Sequence, residues 1–492
     1  MLEALLTELW RDPLLLALTM VVLGLVVIAA VLYRDLARLR RALLRQAARC
    51  IPVEEGGYYE TEPESRGAEK PRIGEYTVIE PIAAGGYAWV FKVRDRRNRV
   101  WVAKVFMPRD MGEEVRWPPS HGAVQILSRI IGDYIENRRL HDMIRRFFSE
   151  VRVVQTVREI VSDEMWWRTI LSSNQCRGRE RLCEELRRYI RNIINIYDVN
   201  KDLVYLLRAG AGTTYYDSAE RYVEDPPYVI VEYAEKGSVS NVRDILLSNP
   251  RHLLQFFEKV AGAVALYYVS YGGVHCDIKP GNILVIESGE GYEPVVTDFG
   301  IARRVSEAIT TWSPGTPQYM PPEYLFYPLG RAEPTWDVYS LAATMYHVVT
   351  GRIPYAQYLY IAASRHPGIG DELRGFAQKV VESLEATLFG VSMLLPNQVG
   401  ELVYKGVDIS RTVDVDEARR RMGVLSNEMR SGVLRGVRDR DGEELLKAVE
   451  KHGLPRRLVD TIMRSLDPDP SRRPSSVVEL WAELRSLSRE LG

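Results

Sequence analysis

The sequence predicts an α+β protein in which a β-rich part precedes a larger helical part, with one transmembrane helix ahead of both. Strand-like apolar runs occur early, at Val100–Phe106 and Tyr228–Ser238, whereas a long apolar helix, His252–Tyr271, comes later. An uncharged apolar stretch lies near the start of the chain, at Leu14–Tyr33. The content of 46% hydrophobic and 27% charged residues is typical of a globular protein.

The stretch Leu14–Tyr33 predicts a single membrane span, because about 20 consecutive apolar residues cross a bilayer as a helix. Six arginines follow it, namely Arg34, Arg38, Arg40, Arg41, Arg45 and Arg49, and only Arg11 precedes it. This asymmetry places the amino terminus outside and the rest of the chain in the cytoplasm. A cleaved signal peptide and a buried core helix are the alternatives, but the basic leader and short apolar core of a signal peptide are missing.

These features divide the chain into four expected parts. They are a short extracytoplasmic segment (1–13), the transmembrane helix (14–33), a juxtamembrane linker that is first basic and then acidic (34–72), and a folded domain (73–487). We expect a single-pass protein of the cell membrane with its folded domain in the cytoplasm. The net charge of −1 gives no electrostatic case for nucleic-acid binding. The four cysteines lack the spacing of zinc ligands and are most simply free thiols in a reducing compartment; they are Cys50, Cys176, Cys183 and Cys276.

The stretch Gly272–Gly300 organises the folded domain. Polar residues cluster at its two ends, and the strand-like runs Asn282–Ile286 and Pro294–Thr297 between them predict a hairpin. Folding this hairpin brings together four side chains that can act on a phosphate ester: Asp277, Lys279, Asn282 and Asp298. A lysine neutralises a phosphoryl oxygen, and carboxylate and amide oxygens are ligands that Mg²⁺ prefers.

This cluster resembles the catalytic loop and metal-binding motif of eukaryotic-type (Hanks-like) serine/threonine protein kinases, in their membrane-anchored prokaryotic form. The resemblance implies a bilobal fold with a β-rich N-lobe and a helical C-lobe, and it implies ATP and Mg²⁺ as cofactors. It also implies that Asp277 orients the substrate hydroxyl and that Lys279 neutralises charge on the γ-phosphate, while Asn282 and Asp298 bind Mg²⁺. Lys279 together with Thr316 points to the serine/threonine branch of the family.

Lys104 is the only charged residue in the apolar run Val100–Phe106. A lysine in a buried strand is costly unless it is paired, and the family pairs it with a helix glutamate beside the ATP phosphates. Two candidates for this glutamate exist. Glu150 lies beside an apolar helical face formed by residues 147, 151, 154 and 157, and Glu180 lies on a second helical stretch. Helical periodicity favours Glu150.

The segment Ile82–Val90 resembles the glycine-rich loop of the family, although Ala83 and Ala88 occupy positions where glycine is usual. The resemblance implies an ATP-binding set that comprises Ile82, Gly85, Gly86, Val90, Val102, Lys104, Val231, Glu232, Ala234 and Asn282. In this set, Glu232 and Ala234 offer backbone groups to adenine, and Val231 lies at the back of the pocket.

Three further positions resemble structural residues of the family. The segment Gly315–Glu323 is similar to the substrate-docking loop, in which Thr316 contacts the acceptor, and Arg473 would pair with Glu323. Asp337 would brace the backbone of the catalytic loop. Segments beyond the family core are expected as insertions near 108–140, 158–190, 206–226 and 356–450, and 372–388 and 414–430 have helical amphipathic patterns.

Cys276 stands where many family members have an arginine that grips a phosphorylated activation loop. We therefore expect an active kinase that is not strictly dependent on loop phosphate. The candidate phosphorylation sites are Ser306, Thr310, Thr311 and Ser313, and the sequence does not single one out. Protein substrates are the expected partners, with a membrane partner or self-association as the route of activation. A pseudokinase scaffold that binds nucleotide without phosphotransfer, and a small-molecule phosphotransferase of related fold, are the alternatives.

Overall fold

A computed structural model describes the folded part of the chain. The described residues are 71–84, 88–106, 124–136, 139–200, 214–289, 291–299, 302–305, 308–309, 316–326, 330–366, 368–379, 415–432 and 434–491. They all belong to one compact unit, Gly57–Gly492. The predicted membrane span, Gly85, Gly86 and the four candidate phosphorylation sites lie outside the described residues. Within the described ranges no helix combines the length and apolar character needed to cross a bilayer.

The first part of the fold is a six-stranded antiparallel sheet with the order β1-β2-β3-β4-β6-β5. Its strands are β1 (Arg72–Ile73), β2 (Tyr76–Ala84), β3 (Ala88–Arg94), β4 (Val100–Phe106), β5 (Ile196–Asn200) and β6 (Tyr228–Glu232). Burial alternates along β4: Trp101, Ala103 and Val105 are buried, whereas Val102 and Lys104 are partly exposed. Because side chains alternate between the faces of a strand, Lys104 lies on the less buried face.

Helices occupy the connections of this sheet. They are α1 (Val124–Glu136), α2 (Arg139–Ser162), α3 (Glu164–Leu171), α4 (Glu180–Leu186) and α5 (Tyr215–Glu224). The predicted helical face is confirmed, because Val151, Val154 and Val157 on α2 are buried. The helix continues to Ser162, and α3 and α4 follow it within the segment 158–190 that the sequence predicts as an insertion.

The second part of the fold is mainly helical. In chain order it contains α6 (Arg243–Leu247), α7 (Pro250–Tyr271), β7 (Gly273–Val274), β8 (Ile283–Ser288), β9 (Gly291–Val296), β10 (Arg303–Arg304), β11 (Ala308–Ile309), α8 (Pro322–Phe326), β12 (Gly330–Arg331), α9 (Thr335–Thr350), α10 (Tyr355–Arg365), α11 (Val415–Ser431), α12 (Arg435–Lys451), α13 (Arg457–Ser465) and α14 (Val477–Glu490). The predicted hairpin is the pair β8–β9. Helix α7 begins two residues earlier than predicted, because the Asn249 side chain accepts a hydrogen bond from His252 N and Pro250 occupies the first turn.

The expectation of four free thiols is wrong for two of the cysteines. Cys176 and Cys183 form a disulfide with their Cα atoms 5.9 Å apart. The chain between them turns back on itself, since the N–H of Arg179 donates to the carbonyl of Cys176 and the N–H of Cys183 donates to the carbonyl of Arg179. Two cysteines seven residues apart meet only because of this turn, which their spacing alone does not reveal. Among the described cysteines, Cys276 is the free one, and it is buried.

Candidate active site

The structure pairs Lys104 of β4 with Glu150 of α2, and their Nζ and Oε2 atoms are 2.7 Å apart. The other oxygen of Glu150 accepts a hydrogen bond from the backbone N–H of Asp298 at 2.6 Å and one from Thr297 Oγ1 at 3.2 Å. Glu180 is exposed instead, and its carboxylate accepts from Gly178 N in its own loop. The structure thus places Glu150, and not Glu180, at the lysine of β4.

The charge of Lys104 is maintained by its neighbours. Burial by itself would lower the pKa of Lys104, but the carboxylates of Glu150 and Asp298 raise it above the ordinary value for a lysine. The ammonium therefore stays protonated at neutral pH. A fixed positive charge on the less buried face of the sheet is suited to holding phosphate oxygens.

Three described residues of the predicted ATP set share the sheet face of this lysine, namely Val90, Val102 and Val231. In the sheet register Val90 lies opposite Lys104, and Val102 lies opposite Val231. Residues directly opposite each other share a face, as do residues two apart on one strand, so these four side chains line one face of the sheet. Three other members of the set lie elsewhere on or beside the sheet: Ile82 is on β2, Glu232 ends β6 opposite Trp101, and the buried Ala234 follows β6. The carboxylate of Glu232 accepts from Asn195 N at 2.7 Å.

A second cluster centres on the carboxylate of Asp277. Its Oδ1 accepts from the N–H and the hydroxyl of Thr316, at 3.2 Å and 3.1 Å, and its Oδ2 accepts from Asn282 Nδ2 at 3.0 Å. Lys279 Nζ lies 3.5 Å from Asp277 Oδ2 and donates to Thr316 Oγ1 at 2.7 Å. The cluster therefore joins a carboxylate, an ammonium, an amide and a hydroxyl from two segments that are far apart in sequence. The two ends of the hairpin also meet, because Thr297 N donates to the carbonyl of Asn282 at 3.0 Å.

The buried side chain of Asp337 holds the backbone that precedes Asp277. Its two oxygens accept from His275 N at 2.7 Å and from Cys276 N at 3.0 Å. Burial raises the pKa of Asp337, and the His275 side chain and the two N–H donors act against that rise. Cys276 has a φ of 67°, a left-handed conformation that is uncommon for a residue with a side chain. The contacts of Asp337 stabilise this conformation.

Cys276 itself points into an apolar cluster. Its neighbours there are Val274, Met320, Tyr324, Ala332 and Trp336. Burial raises the pKa of the thiol well above its ordinary value, so Cys276 is neutral at physiological pH. This position therefore carries no positive charge.

Arg473 and Glu323 form a buried bidentate pair. The guanidinium NH1 and NH2 nitrogens lie 2.7 Å and 2.8 Å from the two carboxylate oxygens, and both side chains are almost completely buried. The Nε of Arg473 donates to the carbonyl of Asp467 at 2.6 Å. The pair joins helix α8, which follows the docking loop, to the segment that precedes α14.

Two contacts at this site involve residues to which the sequence assigned no role. The imidazole of His275 is hydrogen-bonded through Nε2 to the carbonyl of Thr297 at 3.0 Å, and its ring lies 4.6 Å from that of Phe299. The hydroxyl of Thr297 contacts Glu150, as described above. His275 could have been suspected from its position between Val274 and Cys276, whereas a threonine at the end of a strand gives no such signal.

Comparison with known proteins agrees with this geometry. Residues 174–398 match the protein kinase domain family. The chain is 30% identical over 232 residues to the serine/threonine-protein kinase PknK of Mycobacterium bovis, an alignment that covers 44% of this chain and 19% of the relative. It is 35% identical over 175 residues to the probable serine/threonine-protein kinase PknB of Bifidobacterium longum, and this alignment covers 33% of this chain and 22% of the relative. It is 41% identical over 110 residues to the serine/threonine-protein kinase PknA of Mycobacterium tuberculosis, and this alignment covers 22% of this chain and 24% of the relative.

The fold brings together the end of a β-sheet and a mainly helical part at these two clusters. Over residues 174–398 the chain is similar to protein kinase domains, and the relatives named above are bacterial serine/threonine-protein kinases. The chain spans about a fifth to a quarter of the length of these curated relatives.

Proposed function

We propose that this protein is a membrane-anchored serine/threonine protein kinase that transfers the γ-phosphate of ATP to serine or threonine hydroxyls of other proteins. The observation that carries the proposal is the network around Asp277. A carboxylate, the Lys279 ammonium and the Thr316 hydroxyl all lie within hydrogen-bond or ion-pair distance of one another. A hydroxyl acceptor that replaces the Thr316 contacts would meet a base and a phosphate-binding cation together.

The residues divide the chemistry between them. Asp277 accepts the proton of the incoming hydroxyl, and Lys279 stabilises negative charge on the transferred phosphoryl group. Lys104, held by Glu150, binds the phosphates that stay with the nucleotide. Transfer forms the bond between the acceptor oxygen and phosphorus and breaks the bond between phosphorus and the oxygen of ADP. Most of the rate enhancement in such a site comes from positioning and electrostatic stabilisation.

Asn282 and Asp298 are the proposed ligands of Mg²⁺. The amide nitrogen of Asn282 donates to the carboxylate and the carbonyl of Asp277, at 3.0 Å and 2.8 Å, so its carbonyl oxygen faces away from these acceptors. The carboxylate of Asp298 is exposed at the start of the segment that follows β9. Both are oxygen donors, which suits a hard cation. When bound, Mg²⁺ supplies positive charge that neutralises the phosphate oxygens during transfer.

We also propose that phosphate on the activation loop is not required for activity. A phosphorylated loop is usually gripped by an arginine, because the guanidinium forms charge-assisted hydrogen bonds to phosphate. Cys276 is instead a neutral thiol within an apolar cluster. The loop therefore has no cation at this position to bind a phosphate on Thr310 or Thr311.

The proposal places the protein in the cell membrane with its kinase domain in the cytoplasm. The support is the uncharged stretch Leu14–Tyr33 and the arginines that follow it. We propose a membrane partner or self-association as the route by which the kinase domain is activated.

The activity is tested with the full chain in detergent micelles, Mg-ATP and generic protein substrates. We expect wild-type protein to label serine and threonine, and Asp298→Ala to lower the labelling rate by roughly 100-fold or more. Asp244→Ala is the matched control, because this side chain is 93% exposed on α6, and it should leave the rate unchanged. Equal transfer by Asp298→Ala and wild type would refute the assignment. Nucleotide binding without transfer by the wild type would identify a scaffold instead.

Control by the loop is tested separately with the double variant Thr310→Ala/Thr311→Ala. We expect it to keep most of the wild-type rate. A complete loss of transfer, with unchanged thermal unfolding, would show that loop phosphate is needed.

A further inference from the structure

The side chain of Gln357, near the start of α10, is completely buried, and both the nitrogen and the oxygen of its amide are hydrogen-bonded. Its Nε2 donates to the carbonyl oxygens of Pro317 and Met320, at 2.6 Å and 2.9 Å, and its Oε1 accepts from the hydroxyl of Tyr339 at 2.6 Å. The orientation of the amide follows from chemistry, since two carbonyl oxygens can only accept and must face the NH₂ group. The tyrosine hydroxyl is then the donor to the amide oxygen.

These contacts fix the backbone of the docking loop directly after Thr316. The loop also bonds to itself, because Tyr319 N donates to the carbonyl of Thr316 at 3.0 Å. Thr316 in turn contacts Asp277 and Lys279 through its hydroxyl. Gln357 thus holds the residue that directly follows Thr316, through the carbonyl of Pro317.

Helix α10 is itself held in place at its first turn. The buried carboxylate of Asp441 on α12 accepts from the N–H groups of Tyr355 and Ala356, at 2.7 Å and 3.0 Å. Gln357 is the next residue along the helix. Because both the helix end and the amide are anchored, a displacement of Gln357 would have to move the docking loop or break buried hydrogen bonds.

We propose that Gln357 is a positioning residue for the polypeptide acceptor. It holds residues 317–320 so that the loop presents a fixed surface to the segment around the target hydroxyl. Gln357 contacts neither the nucleotide face of the sheet nor Lys104. Its loss should therefore weaken the use of the protein acceptor and leave the use of ATP unchanged. This inference rests on the proposed kinase function.

The test compares Gln357→Glu with wild type in the full chain. A carboxylate has no N–H to donate, so it would face two carbonyl oxygens without a hydrogen bond. We expect KM for a serine-containing peptide acceptor to rise at least about 10-fold, while KM for ATP and the rate of ATP hydrolysis by water change less than about twofold. Gln125→Glu, an exposed glutamine on α1, is the matched control and should change neither.

A milder variant keeps the test decisive if Gln357→Glu does not fold. Tyr339→Phe removes the hydroxyl that orients the amide but retains the ring that lies against Arg473. Tyr339→Phe should raise KM for the peptide acceptor by a smaller factor, about threefold. KM for ATP and the rate of ATP hydrolysis should equal those of wild type. A proportional change in the acceptor and ATP parameters, or an unchanged acceptor KM in a folded variant, would overturn the role of Gln357 alone. Absence of any peptide labelling by the wild type would overturn the kinase function and this inference with it.

Discussion

Replacing Glu150 by glutamine tests the link between the two clusters of the site. The carboxylate receives two short hydrogen bonds, from Lys104 Nζ at 2.7 Å and from Asp298 N at 2.6 Å. Glutamine keeps the shape but has a single acceptor oxygen, so its NH₂ group must face one of these donors. Hydrogen bonds to charged groups contribute about 1.5–3 kcal/mol each.

The substitution therefore removes one of these hydrogen bonds and also the negative charge that strengthens the remaining one. Together these losses should cost roughly 2–4 kcal/mol of transition-state stabilisation. This corresponds to a fall in kcat/KM of roughly 30- to 1,000-fold. The assay is phosphate transfer to a protein acceptor at varied ATP, with thermal unfolding measured on the same preparations. Glu180→Gln is the matched control, since Glu180 is exposed and bonded within its own loop, and it should match wild type. A Glu150→Gln enzyme within threefold of wild type, or an equal loss in Glu180→Gln, would refute the reasoning.

Three further predictions concern stability, measured by urea unfolding. Arg473→Met should lower the free energy of unfolding by about 3–5 kcal/mol, because Glu323 stays buried without its partner. Adding Glu323→Leu should restore part of the lost stability. If the stability losses of the two single variants simply add up in the double variant, the pairing is contradicted. Burial raises the pKa of Asp441 to about 7 from 3.8. The native state then holds a proton that the unfolded state releases, so stability should fall as pH rises from about 4 to 7, by up to about 1.4 kcal/mol per pH unit relative to Asp441→Asn. If the unfolding free energies of wild type and Asp441→Asn change with pH in parallel, the effect is excluded. Cys176→Ser should lower the unfolding free energy by about 2–3 kcal/mol, because the loop closed by the disulfide is short. An unchanged midpoint would show that the bond does not stabilise the fold.

Much of the fold was predictable because it depends on local patterns. The hairpin β8–β9 and helix α7 follow from β-forming runs and apolar periodicity, and the structure confirms both. The choice of Glu150 also rested on periodicity, since the buried stripe of α2 fixes which way the neighbouring glutamate points.

Other features depend on tertiary contacts that leave no local pattern. The pairing of Cys176 with Cys183 requires a turn whose residues have no distinctive spacing. Gln357 is an ordinary polar residue in a helical segment, and only the approach of the docking loop gives it partners. Thr297 became part of the site because α2 delivers Glu150 to the end of β9. Such residues are found only when elements distant in sequence are seen in contact.

The two oxygens of the Glu150 carboxylate link Lys104 to the backbone of Asp298. One oxygen holds the lysine of the sheet and the other holds the backbone of Asp298, so neither can be adjusted without the other. An outward shift of α2 by about 1 Å would stretch both bonds beyond hydrogen-bonding distance. Helix α3 begins two residues after the end of α2, and near that end Arg158 donates to the carbonyl of Ile193 at 2.8 Å. A force applied to that end of α2 would therefore act through Glu150 on Lys104 and on the backbone of Asp298 at the same time.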